Sequence, residues 1–252
     1  PQVPEAPENV EDAAMWQYLW YRSHYWDRVD FDDPRLVRDG AFDQLVTRYW
    51  SKVLPQIPDT MIVEAHSLLD QVLQAGNKDM FKYMVHHMTY ASESSKIMCM
   101  DKVFVNLVNS YYRTDMVNWL NEEQLKKILD RAEDLKYTLC GNKAPNITLP
   151  DLDQENWVKL HDIEAKYTLI CIWESTCGHC KKEMPKLERI YDEWKPRGLE
   201  IFAIGNDFEP EPWQEYIREK ELTKWVNVSD NPLINAQDSA TALIYGLSLI
   251  HI

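Results

Sequence analysis

The chain has 252 residues, 45% of them hydrophobic and 12% aromatic, enough for two ordinary domains with real cores. A formal net charge of −14, spread over both halves, argues against nucleic acid as a partner. The longest apolar stretch falls short of the roughly eighteen residues that a membrane span needs, and no signal-peptide pattern opens the chain.

Residues 1–8, Pro1-Gln-Val-Pro-Glu-Ala-Pro-Glu, read as a linker inside a longer precursor. Asn9-Val-Glu-Asp12 opens a helical pattern, as an N-cap with an acidic first turn, that runs to about Trp26. Met15, Trp16, Tyr18, Leu19, Trp20 and Tyr21 fill several of its faces, and core packing is the reading for them rather than a ligand groove or partner surface. Asp32-Asp33-Pro34 caps the next segment, in which Phe42, Leu45, Val46, Tyr49 and Val53 keep helical spacing until Pro55 and Pro58. Further helices are expected over Asp59–Gln74, ended by Gly76, over Asn77–Tyr90, over Ile97–Tyr112, and from the capping box Asn121-Glu-Glu-Gln124 to Tyr137. His86 and His87 point about 100° apart on a helix and are poor partners for one metal. The stretches Asp30-Phe-Asp-Asp-Pro-Arg-Leu36, Glu93-Ser-Ser-Lys-Ile-Met98 and Met100-Asp-Lys-Val-Phe104 resemble a helical domain that precedes thioredoxin modules in secreted proteins and lipoproteins of Bacteroidetes. That resemblance implies an architecture and a compartment, and no chemistry.

From Gly141 the pattern changes. Residues 143–153 and 157–160 read as two short strands around a polar turn. Tyr167–Trp173 is nearly all apolar or β-branched, a buried strand. After a turn, Met184, Leu187, Ile190, Tyr191 and Trp194 mark an amphipathic helix from Lys181 to Trp194. Leu199–Gly205 is the next buried strand, Pro210 to about Lys220 a helix, and Trp225–Val228 a short strand. This alternation predicts a parallel sheet, with Leu169–Trp173 central, Leu199–Gly205 beside it, and ligands at the carboxyl ends of the strands.

Cys177 and Cys180 thus fall at a strand-to-helix junction, where free N–H groups and the positive end of the helix dipole stabilise a thiolate. A zinc site would need two further ligands at similar spacing, and Cys99, Cys140 and Cys171 are scattered singly, so the pair reads as redox-active, with no metal and no cofactor. Trp173-Glu-Ser-Thr-Cys177-Gly-His-Cys180-Lys-Lys-Glu-Met-Pro185 resembles the active-site stretch of thioredoxin-fold proteins, and its Lys-Lys-Glu-x-Pro tail resembles the TlpA/ResA group of bacterial extracytoplasmic thiol-disulfide oxidoreductases.

The resemblance implies a Cys177–Cys180 disulfide, with Cys99, Cys140 and Cys171 unpaired. Cys177 is expected to be the exposed nucleophile and Cys180 the resolving thiol. Glu183, matching the glutamate of the ResA-type pattern, is the expected acceptor of the Cys180 proton, and Glu174 a second carboxylate within reach. Thioredoxin itself carries an aspartate six positions before its first cysteine, where this chain has Cys171. Trp173, Thr176, Gly178, His179 and Pro185 complete the neighbourhood, with His179 able to place positive charge near the thiolate.

The fold class expected is an α/β thioredoxin-like fold, incomplete at its C-terminus, preceded by an all-α domain. The domains run 1–8 (linker), 9–140 (helical), 141–246 (thioredoxin-like, with the cis-proline loop missing because Pro232 comes too early) and 247–252, an artefactual tail. The function expected is an extracytoplasmic thiol-disulfide oxidoreductase, reducing protein disulfides and fed by a membrane electron donor of the DsbD type. It would be periplasmic or in the cell envelope, lipid-anchored through a missing N-terminus. The alternatives are a binding or scaffold protein acting through the helical domain, and a thiol peroxidase.

Overall fold

The structure, a computed structural model, describes residues 1–230; the expectations for Pro232, for the end of the thioredoxin-like domain and for 247–252 lie outside the described residues. The chain divides into two compact units between Cys140 and Gly141. No helix among the described residues is long and apolar enough to cross a membrane.

The first unit consists of α1 (Ala13–Ser23), α2 (Gly40–Arg48), α3 (Pro58–Ala75), α4 (Lys78–Glu93), α5 (Asp101–Leu107) and α6 (Glu122–Leu135), with π turns continuing α2 over Tyr49–Val53 and α5 over Val108–Tyr112. Local chemistry sets most of the ends. Asn77 caps α4 by accepting the Met80 N–H, Asn121 and Gln124 form a reciprocal capping box on α6, and Gly76 closes α3 at φ 82°, a conformation that costs a side-chain-free residue little. Phe42, Val46, Met61, Leu69, Met84, Met88, Phe104 and Leu107 are packed in its core.

Two expectations fail here. The aromatic density of α1 is not core: none of its residues is buried, Met15 and Leu19 are about half exposed, and Trp16 and Trp20 line an open cavity of about 810 Å³ with Arg22 and Glu64. A single helix cannot bury every face at the margin of a unit: Tyr21 and, beyond the helix end, Trp26 pack partly buried against the core, and Tyr25 is buried in it. Cys99 and Cys140 are not unpaired. They form a disulfide, with Cα atoms 5.5 Å apart. The start of α5 and the segment after α6 meet there, and a bridge across 41 residues of sequence leaves no local trace.

In the second unit, β1 (Thr148–Pro150) and β2 (Trp157–Lys159) form an antiparallel hairpin. β3 (Tyr167–Trp173), β4 (Leu199–Gly205) and β5 (Val226–Ser229) form a parallel sheet in the order β3-β4-β5, connected through α7 (Gly178–Trp194) and α8 (Pro210–Glu219). The central strand among the described residues is therefore β4 and not β3, as the sequence pattern had suggested. Both strands are apolar runs, and which one lies inside depends on where β5 docks. Alternation along β4 builds two layers: Ile201 and Ala203 pack with Trp173, Met184, Tyr191, Trp213 and Ile217, while Phe202 and Ile204 pack with Ile147, Leu149, Leu160 and Val228. Gly205 ends β4 where a Cβ would overlap the Trp213 indole, so the strand can pass under α8 only without a side chain.

Candidate active site

The site lies at the carboxyl ends of β3 and β4, where a parallel α/β sheet presents its crevice. β3 ends at Trp173. The segment Glu174–Thr176 turns the chain, and Cys177 is the N-cap of α7, its extended backbone (φ −71°, ψ 113°) turning the sulfur over the first helical turn. Cys177 Sγ accepts the Cys180 N–H at 3.4 Å. The helix begins at Gly178, three residues before the apolar periodicity becomes visible, because the Gly-His-Cys stretch carries no periodic signal.

The two thiols are set apart by their surroundings. Cys177 is held below the usual thiol range, chiefly by hydrogen bonding from Cys180 and also from the backbone of His179, against the opposing charge of Glu174. Cys180 is buried beside Trp173, and that burial pushes its thiol up to about 11, with the Cys177 and Glu174 charges adding to the rise. Both are free thiols here, the dithiol form of the pair. Cys171, on β3, is also free, and burial raises it to about 11.

The structure places the remaining sequence candidates as follows. Trp173 is fully buried against Cys180 and stacks obliquely on Tyr216 at 5.4 Å. Thr176, Gly178 and His179 are exposed around Cys177. Glu183 is half-exposed and accepts from Lys186 Nζ at 2.7 Å, which, with the Lys186 and His179 charges, lowers its carboxyl. Glu174 bears on both thiols. Its carbonyl accepts the Cys177 N–H at 3.3 Å, its backbone reaches the Cys180 sulfur, and its carboxylate accepts from Asn206 Nδ2 at 3.5 Å. Pro185 lies inside α7 and supplies no N–H to the helix ladder. Among the described residues no group of three or more His, Cys, Asp or Glu is arranged to hold a metal ion.

Sequence reasoning missed the other wall of the site. Directly after β4, Asn206 N–H donates to the Trp173 carbonyl at 2.9 Å. Asp207, buried, accepts the Ser175 N–H on both carboxylate oxygens at 3.0 Å and the Ser175 hydroxyl on one of them. An Asn-Asp pair after an apolar strand reads as ordinary turn chemistry, so only strand order reveals what it faces.

Residues 1–137 match the family described as a domain of unknown function (DUF5106), and residues 140–247 match the AhpC/TSA family. A thiol-disulfide oxidoreductase ResA of Oceanobacillus iheyensis is 33% identical over 99 residues, 38% of this chain and 52% of that protein. One from Halalkalibacterium halodurans is 37% identical over 78 residues, 31% of this chain and 43% of that protein. The chain thus spans about half the length of the curated relatives it matches. A thioredoxin-like protein of Bacteroides caccae, solved as a crystal structure, is similar in fold at a TM-score of 0.65, with 19% identity, 93% of this chain and 84% of that one covered. The second unit is thioredoxin-like in fold and TlpA/ResA-like, and the chain, through residues 1–137, belongs to the DUF5106 family.

Proposed function

We propose that the chain is a thiol-disulfide oxidoreductase that reduces disulfides in proteins. The observation that carries this reading is the pairing of a half-buried, lowered thiol at a helix start with a buried, raised one a turn inside. The Cys177 thiolate attacks one sulfur of a substrate disulfide, that S–S bond breaks, and the other substrate sulfur leaves as a thiolate. Cys180 then gives up its proton and attacks Cys177 Sγ. The mixed disulfide breaks, the second substrate thiol is released, and Cys177–Cys180 becomes the disulfide. Two electrons pass to the substrate. A dithiol donor returns the site to the state seen here, and the resemblance of the active-site stretch points to a membrane donor of the DsbD kind.

Two carboxylates are candidates to take the Cys180 proton. Glu183 is supported by its resemblance to the ResA-type glutamate, and Glu174 by its charge bearing on both thiols. The acceptor is the one whose Gln variant slows substrate release relative to the first attack, the two steps being timed separately in each variant.

The Cys99–Cys140 disulfide supports an oxidising compartment, a periplasmic or cell-envelope setting, since such bridges persist outside the reducing cytosol. The test of the activity is trapping. Cys180→Ser is expected to retain substrates as mixed disulfides and Cys177→Ser to retain none. A Cys180→Ser protein that traps nothing, with a Cys177 no more reactive than a free thiol, overturns the proposal.

A further inference from the structure

Three of the four residues before Cys177 are held by the two that follow β4. The Trp173 carbonyl takes the Asn206 N–H, the Glu174 carboxylate takes the Asn206 side chain, and Ser175 gives both its N–H and its hydroxyl to Asp207. The last contact is unusual in its burial. Ser175 is 4% exposed and Asp207 8%, and the carboxylate accepts three hydrogen bonds from a single residue 32 positions away. A carboxylate is costly to bury, and hydrogen bonds to it are among the strong ones in proteins, so the link is stiff.

We propose that Asp207 is a positioning residue for the redox pair, holding the β3–α7 turn through Ser175 so that the Cys177 sulfur stays over the free N–H groups at the start of α7. This rests on the oxidoreductase reading. The Cys177 N–H is bonded to the Glu174 carbonyl and its sulfur accepts the Cys180 N–H at 3.4 Å, so the turn has little slack: a shift of Ser175 moves Cys177 with it. A carboxylate near a thiolate would by itself disfavour the thiolate, as Glu174 does. As an anchor, Asp207 has the opposite effect, because it preserves the hydrogen bonds that keep Cys177 ionised. The sign of the effect therefore separates an anchoring role from a mere neighbouring charge.

The experiment follows Cys177 alkylation by iodoacetamide against pH in the reduced 252-residue protein, resolved by peptide mass, with melting measured in parallel. Asp207→Ala is expected to raise the Cys177 titration and to slow alkylation at pH 7 by about three- to tenfold, since each unit of rise above pH 7 removes about nine-tenths of the thiolate. Ser175→Ala, which loses the hydroxyl but keeps the N–H bonds, moves it the same way by less. Asp207→Asn, which keeps one acceptor oxygen, falls between. A lower Cys177 titration in Asp207→Ala overturns the proposal in favour of a simple charge. An unmoved titration with a lower melting temperature overturns it in favour of a purely structural bond. If Asp207→Ala does not fold, unmoved titrations in both Ser175→Ala and Asp207→Asn overturn it. A wild-type Cys177 no faster than a free thiol would sink the oxidoreductase reading itself, whereas a fast wild type with unmoved variants sinks only the anchor.

Discussion

The order of the two thiols can be tested in the reduced protein without a substrate. Cys180 is raised to about 11 from an ordinary value of 9.0, while Cys177 is lowered from the same value, so the two differ by more than two units. At pH 7 that separates their thiolate fractions by more than about a hundredfold. Part of this is returned, because a thiolate of lower pKa is intrinsically less nucleophilic, with a Brønsted slope of about 0.4–0.5. The net electronic advantage of Cys177 is then at least about tenfold, and burial of Cys180 at 4% exposure multiplies it. Timed alkylation with iodoacetamide, followed by digestion and mass spectrometry, reads both rates in one sample. Cys177 modification should level off below pH 9, while that of Cys180 should still be rising at pH 10. Equal rates at pH 7, or a Cys180 that levels off below Cys177, would refute the assignment of nucleophile and resolving thiol.

Replacing Cys99 and Cys140 together by Ser should destabilise the helical unit by about 3–4 kcal/mol, the loop-closure value for a bridge 41 residues apart; urea unfolding under non-reducing conditions measures it. Gly205→Ala should cost roughly 1–3 kcal/mol through overlap with the Trp213 indole, read as a lower midpoint of thermal or urea unfolding. Glu174→Gln removes a charge that disfavours both thiolates and should lower the titrations of Cys177 and Cys180 together, seen in the same alkylation profiles. Cys171 and Cys180 have raised folded values near 11, so the stability from holding them neutral is present below about pH 9 and lost as pH rises towards 11; in urea titrations across that window, Cys171→Val should lose the corresponding part of the slope.

Much of the local structure could be read along the chain. The Asn121–Gln124 capping box, the Asn77 cap and the Gly76 stop act within three or four residues, and each is where the pattern put it. The apolar runs of β3 and β4 and the periodic face of α7 are equally local, as is the cysteine pair at the strand-to-helix junction. These features depend on backbone hydrogen bonds and periodicities that close over a few residues, so neighbouring side chains suffice to announce them.

Tertiary packing decided what depends on contacts between distant residues. The Cys99–Cys140 bridge needs the start of α5 and the segment after α6 to meet, and the sequence between the two cysteines, 41 positions apart, carries no sign that they do. Whether the aromatic residues of α1 were core or surface depended on which neighbours arrived, and within their unit these cover them only in part. Among the described residues β4 has a strand on each side because β5 docks on its far side, although β3 is no less apolar in sequence. The Ser175–Asp207 contact exists because parallel pairing sets Trp173 opposite Gly205, so the residues after each strand end face one another. A carboxylate 32 residues from the serine it holds is invisible until the sheet has set that register.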